Sequence, residues 1–149
     1  YVNAPLMAEQ RGVDVRLVQD TVSDEYRNVT TLKAVLSDGS VVSAGGTVIG
    51  PKHHQKIVSI NGYDVELAMA EHMVVMIYQD RPGIVAVYGK AFAEANINIA
   101  AMTIARQQKG GKALSVITID SPVEPNVLET VREAIQADTM CSVSLVEQY

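Results

Sequence analysis

The sequence predicts an α+β chain in two parts, a hairpin-rich first half and a second half with the element order βαββαβ. Three observations predict it. Short β-prone runs in the first half are joined by tight turns, as in Ile57 to Ile60 and Tyr63 to Leu67 flanking Asn61-Gly62. Helical periodicity appears at two places in the second half. Each of those helical runs is preceded and followed by a β-prone run of strand length.

Taken in order, Ala4 to Gln10 reads as a short helix, with Asn3 as N-cap, Pro5 in the first turn and Gly12 as the stop. Val13, Val15 and Leu17 then alternate with Asp14 and Arg16, a strand pattern. Val29 to Leu36 and Val41 to Ile49 are two β-prone runs joined by Ser37-Asp38-Gly39-Ser40, and the Asn61-Gly62 hairpin follows. The halves join near Met69-Ala70-Glu71-His72. Met73 to Tyr78 is a strand that must end by Pro82. Ile84, Val87, Tyr88, Ala91 and Ala95 then share one helix face, with Phe92 beside them, and Asn96 sits where a C-cap wants a left-handed residue. Ile97 to Arg106 and Lys112 to Ile119 form a hairpin around the turn at Gln107 to Gly111. A second helix, from about Glu124 to Ala137, is introduced by Ser121 and Pro125 and carries the stripe Val127, Leu128, Val131, Ala134 and Ile135. The last strand is Cys141 to Val146. This order is that of the ferredoxin-like unit, an antiparallel sheet with both helices on one face. Both faces of its hairpin strands are substantially apolar, so the face opposite the helices is expected to meet another chain or a neighbouring domain.

Composition narrows the function classes. At 149 residues and 48% hydrophobic, the chain has the make-up of an ordinary globular protein. A net charge of -5 argues against nucleic acid and against an anionic membrane surface as partners. No apolar run is long enough to span a bilayer and no signal peptide is visible, so the cytoplasm is the expected compartment. A single cysteine, Cys141, allows no internal disulfide and no Cys-rich metal site. Asn28-Val29-Thr30 matches a glycosylation sequon, without a secretory route to use it. The chain opens at Tyr1 directly in patterned sequence, as a piece of something longer would. There is no GxGxxG, P-loop or HExxH motif, and the three histidines lack metal-ligand spacing with a carboxylate. No catalytic residue, metal or cofactor is therefore expected in this chain.

The stretch Gln79-Asp80-Arg81-Pro82-Gly83 carries the most chemistry. Asp80 can cap the following helix, Pro82 suits its first turn, and Gly83 lets the backbone approach a bound group. Free amides at a helix start attract a carboxylate and the Asp80 side chain attracts an ammonium group, which together describe an amino acid.

Residues from about Glu71 to Val146, with Asp80-Arg81-Pro82-Gly83 after the first strand and Asn98-Ile99 opening the second, resemble an ACT domain, an amino-acid-sensing module. Val2-Asn3-Ala4-Pro5 leading into Glu9-Gln10-Arg11-Gly12-Val13, Gly46-Thr47, and Lys56-Ile57-Val58-Ser59-Ile60-Asn61-Gly62 resemble the allosteric substrate-binding domain of the D-3-phosphoglycerate dehydrogenase family. The resemblance covers essentially the whole chain. It implies a substrate-binding (intervening) domain over 1–70 and an ACT domain over 71–149. It also implies a parent enzyme that oxidises 3-phosphoglycerate with NAD on the way to serine, its catalytic domains lying upstream. L-serine is the implied feedback effector, and a homodimer or tetramer through ACT domains the implied assembly, with the ligand near the subunit seam and the 69–72 junction as hinge.

The implied effector residues are Tyr78, Asp80, Gly83 and Asn98. Each has a plain alternative: Asp80 as helix cap, Asn98 as the end of a helix turn, and Tyr78 as a packing residue with a satisfied hydroxyl. Asn96 is read as a C-cap only. Lys56 and His54 are the implied anion site, against the alternative of a solvated loop with Lys52 and His53. Ala68 and Thr118 stand where some family members carry Arg. The β subunit of iron-sulfur L-serine dehydratase resembles this arrangement too, and a ligand-free dimerisation module is a third reading.

Overall fold

Turn chemistry organises the first sheet. The computed structural model describes residues 3–20 and 26–145. Helix α1 spans Ala4–Gln10 with proline in its first turn, and Gly12 at φ 67° ends it. Asn3 makes no side-chain cap bond. Strands β1 (Thr30–Val35), β2 (Val41–Ile49), β3 (His54–Ile60) and β4 (Tyr63–Ala68) follow as an antiparallel meander in spatial order β1-β2-β3-β4. Asn61 and Gly62 both take positive φ, 49° and 78°, which is the backbone a two-residue hairpin turn requires. The alternation over Val13, Val15 and Leu17 makes no strand. These side chains and the polar ones between them are all exposed, and without a neighbouring ladder a period-2 pattern has nothing to pair with.

The second sheet is built from β5 (His72–Gln79), β6 (Ile99–Arg106), β7 (Lys112–Ile119) and β8 (Thr139–Ser144), all antiparallel, in the order β6-β7-β5-β8. Helices α2 (Ile84–Glu94) and α3 (Pro125–Ile135) connect its strands in the ferredoxin-like manner. Both helices end in the same way. Asn96 at φ 56° and Gln136 at φ 54° turn left-handed, and the amides of Ile97 and Ala137 reach back to the carbonyls of Phe92 and Arg132. On α2 the buried side chains are Ile84, Tyr88 and Phe92, with Ala91 and Ala95 packed beside them. Val87, expected on that face, is 38% exposed. On α3 Val131 and Ile135 are buried, Val127 and Leu128 are partly so, and Ala134 faces out. Val146, expected as the end of the last strand, lies outside the described residues.

The described residues form two hydrophobic cores, and the second joins the halves. The first lies between the sheet and its helices, around Val74, Met76, Tyr88, Phe92, Ile117, Val131 and Ile135. The second is formed by Tyr63, Val65 and Leu67 of β4 lying on Met73, Leu114 and Val116 of β5 and β7. The apolar sheet face opposite the helices is thus covered within the chain, by a neighbouring sheet. Strand alternation makes this possible, because Asp64, Glu66 and Ala68 take the opposite, exposed side of β4.

This packing revises the reading of the junction as a hinge. Ala70 packs against the shared core, the Leu145 amide donates to the Glu71 carbonyl at 2.8 Å, and His72 Nδ1 lies 3.0 Å from Ser144 Oγ. A segment held by buried contacts and hydrogen bonds on both sides has little freedom to swing alone. Among the described residues no helix is long and apolar enough to cross a membrane.

Candidate functional site

The Asp80 to Gly83 turn is held from two directions. The Asp80 amide donates to the Gly111 carbonyl at 2.9 Å, and Gln79 Nε2 donates to the Gly110 carbonyl at 2.6 Å, fixing the end of β5 to the β6–β7 turn. On the other side Arg81 reaches the C-terminus of α3, with Nη2 donating to the Ile135 carbonyl at 3.3 Å and Nη1 to Gln136 Oε1 at 3.4 Å. A cation there offsets the partial negative charge of the last carbonyls. Sequence reasoning gave Arg81 no role of its own. The signal was the basic residue itself, but its helix-end partner lies 54 residues away.

Asp80 is not the helix cap expected of it. Gly83 occupies the N-cap position at φ 93°, no side chain bonds the first amides of α2, and a Cβ added at Gly83 would meet nothing within 4 Å. The Asp80 carboxylate instead accepts from Arg106 Nη1 at 3.0 Å. Sequence periodicity could not reveal this pair, since it joins the ends of β5 and β6 across the intervening β7.

Tyr78 points away from solvent. It is 2% exposed, and its hydroxyl lies 2.6 Å from Ser115 Oγ on the helix side of the sheet, next to Tyr88, whose hydroxyl donates to Met102 Sδ at 2.8 Å. The structure places Tyr78 in the core with its hydrogen bond satisfied. Burial pushes the pKa of both tyrosines up, opposed in each by hydrogen bonding with Ser115. The unfolded chain therefore ionises first, so stability is expected to be full below pH 10.0 and to fall above it. Urea unfolding on either side of that pH checks it, and Tyr78→Phe is expected to flatten the alkaline fall.

Asn98 is exposed and lies at the far end of β6. Its Nδ2 donates to Asp120 Oδ2 at 2.7 Å, and the amide oxygen has no partner among the described residues. Asp80 sits at the Arg106 end of the same strand. An eight-residue strand separates them by roughly 25 Å. One chain therefore brings Asp80 and Gly83 together but not Asn98. Among the described residues β6 is also an edge of its sheet, paired in the ladder with β7, and it carries Met102 and Ile104 exposed.

In the first half, Lys56 is paired with the Glu66 carboxylate. His54 stands exposed at the start of β3, on the same strand face as Lys56. An anion there would compete with Glu66 for the ammonium group. Between the halves runs an open groove of about 590 Å³, bordered by Gly62, Tyr63 and Asp64 on one side and Ile104 to Gln107 on the other. Gln107 Nε2 bridges its end to the Gly62 carbonyl at 3.3 Å. Among the described residues no group of three His, Cys, Asp or Glu side chains is arranged to hold a metal.

Comparison with known proteins agrees with this architecture. Residues 72–136 match the ACT domain family, and residues 1–61 match the D-3-phosphoglycerate dehydrogenase intervening domain. D-3-phosphoglycerate dehydrogenase of Mycobacterium leprae is 34% identical over 145 residues, 97% of this chain and 28% of the relative. The enzyme of that name from Mycobacterium tuberculosis is 34% identical over 137 residues, 92% of this chain and 26% of the relative. That from Bacillus subtilis is 30% identical over 146 residues, 98% of this chain and 27% of the relative. The chain spans about a quarter of the length of these relatives. By these two matches, and by the order in which they occur, the chain carries a D-3-phosphoglycerate dehydrogenase intervening domain followed by an ACT domain.

Proposed function

We propose that this chain is the regulatory part of a D-3-phosphoglycerate dehydrogenase, with the intervening domain over 1–70 and the ACT domain over 71–149, and that it binds L-serine as feedback effector. The parent enzyme oxidises 3-phosphoglycerate with NAD in the cytoplasm. Its catalytic domains lie outside this chain, which is inert alone. The observation that carries the effector site is that Asp80 bonds Arg106 at one end of edge strand β6 while Asn98 stands at the other end. Antiparallel pairing of β6 with β6 of a second copy, about a two-fold axis, would set the Arg106 end of each against the Ile99 end of the other. Two identical sites would result. In each, Asp80 and the uncapped start of α2 face Asn98 of the partner subunit, and an amino acid's ammonium group goes to Asp80. Met102 and Ile104 would be covered at the same seam.

The test is complementation. In calorimetry, Asp80→Ala and Asn98→Ala are each expected to weaken L-serine binding by about 1.5–3 kcal/mol, the worth of a hydrogen bond to a charged group. Mixed in equal amounts and allowed to exchange, the two variants should regain about a quarter of full-affinity sites, since half the dimers are mixed and each has one intact site. No recovery on mixing would exclude the shared site, and no serine binding by the parent chain would remove the effector assignment.

A further inference from the structure

We propose that Arg106 is the carboxylate receptor of this effector site, which makes it the residue that selects amino acids over amines; the inference rests on the serine-site reading above. The Asp80 turn contains a cation of its own, Arg81, but its guanidinium is engaged at the C-terminus of α3 by the Ile135 carbonyl and the Gln136 side chain. Lys112, at the start of β7, is paired with Asp138. The cation that meets Asp80 is therefore Arg106, which reaches it from the far side of β7.

The contact between them is single. Arg106 Nη1 donates to Asp80 Oδ2 at 3.0 Å, while the second carboxylate oxygen and the remaining guanidinium donors have no partner among the described residues. The side chains are 27% exposed for Asp80 and 58% for Arg106, so both present these unused atoms to solvent. A fixed anion beside a fixed cation is complementary to a zwitterion laid antiparallel to them, with ammonium on the free Asp80 oxygen and carboxylate on the free guanidinium edge. An amine satisfies only half of this arrangement. A guanidinium suits the second half because its donors form a planar fork matching a carboxylate.

The pair is also held in place before any ligand arrives. The Asp80 amide and the Gln79 side chain are tied to the Gly110–Gly111 turn that follows Arg106, so the two ends of the ion pair cannot drift apart independently. Next in sequence, Gln107 donates to the Gly62 carbonyl, which links the receptor's strand end to the first half. A ligand that draws on Arg106 therefore acts one residue from the contact between the halves.

The experiment compares L-serine with L-serinamide, which keeps the ammonium and hydroxyl groups but has no carboxylate. Affinities are measured by calorimetry for the whole chain, Arg106→Gln, Arg106→Lys and Asn98→Ala, with thermal melting to confirm folding. The parent is expected to prefer serine to serinamide by at least about tenfold, and Arg106→Gln to lose that preference through serine alone. Arg106→Lys should keep an intermediate preference. A purely structural arginine would shift melting and both ligands alike, and that result overturns the proposal. If serine binding needs Asn98 but survives Arg106→Gln within about twofold, Arg106 is not the receptor and the site itself stands. If the parent chain binds no serine, the effector reading falls and this inference with it.

Discussion

Phe92→Ala is expected to destabilise the chain by about 3–5 kcal/mol, the range for removing a fully buried aromatic ring from a packed core. Phe92 has no exposed surface and stands at the centre of the core between sheet and helices, its ring 6.5 Å from that of Tyr88 at an interplanar angle of 61°. The cavity left by the ring has no ready replacement, because the neighbours on α2, Ala91 and Ala95, are too short to fill it. Against a typical total stability of about 5–15 kcal/mol, this leaves little. Val87→Ala, one turn away on the same helix, is the contrast. Its side chain is partly in solvent, so a change of no more than about 1 kcal/mol is expected. Chemical denaturation of the two variants checks the pair, and equal losses would mean that α2 is rotated from the orientation described.

Val65→Asp should have an effect of similar size through a different mechanism, and should separate the halves. Val65 is 6% exposed between the two sheets, with Tyr63 and Leu67 on either side and Leu114 and Val116 facing it. A carboxylate there must either lose its water without a partner or remain protonated, at a cost of about 3 kcal/mol or more. The second half keeps its helix-backed core, whereas the first sheet loses the surface that buries its own apolar face. The parent chain is expected to unfold in one transition, and the variant in two, with the first sheet lost at lower denaturant. Hydrogen exchange should show the same order, fast in β1 to β4 and slow in β5 and β7. Asp64→Ala, on the exposed side of the same strand, should change stability by no more than about 0.5 kcal/mol. A single transition in Val65→Asp would mean that the halves do not depend on this interface.

Local chemistry was readable from the amino acids alone. The Asn61-Gly62 turn, the left-handed Asn96 at the end of α2, the strand Lys112–Ile119 and the order βαββαβ all depend on residues within a few positions of one another. Turn preference and hydrophobic period are properties of such short windows. The Asp80-Arg81-Pro82-Gly83 turn could be located in this way, while its place in an ACT unit was read from resemblance to that family. The side-chain pairings could not. Asp80 bonds Arg106 rather than the helix start, Arg81 bonds the end of α3, Lys56 bonds Glu66, and the Tyr78 hydroxyl is spent on Ser115. Each of these choices is made between elements whose proximity is set by the register of a sheet or by helix packing. The sequence showed that the sheet face opposite the helices was apolar, and left open what would cover it. Tertiary structure placed β4 there, because stacking two apolar sheet faces removes both from water at once. The same packing laid β4 alongside β6, with Asp80 beside the Arg106 end of β6 and Asn98 at the other, a distance that only the direction of a folded strand can set.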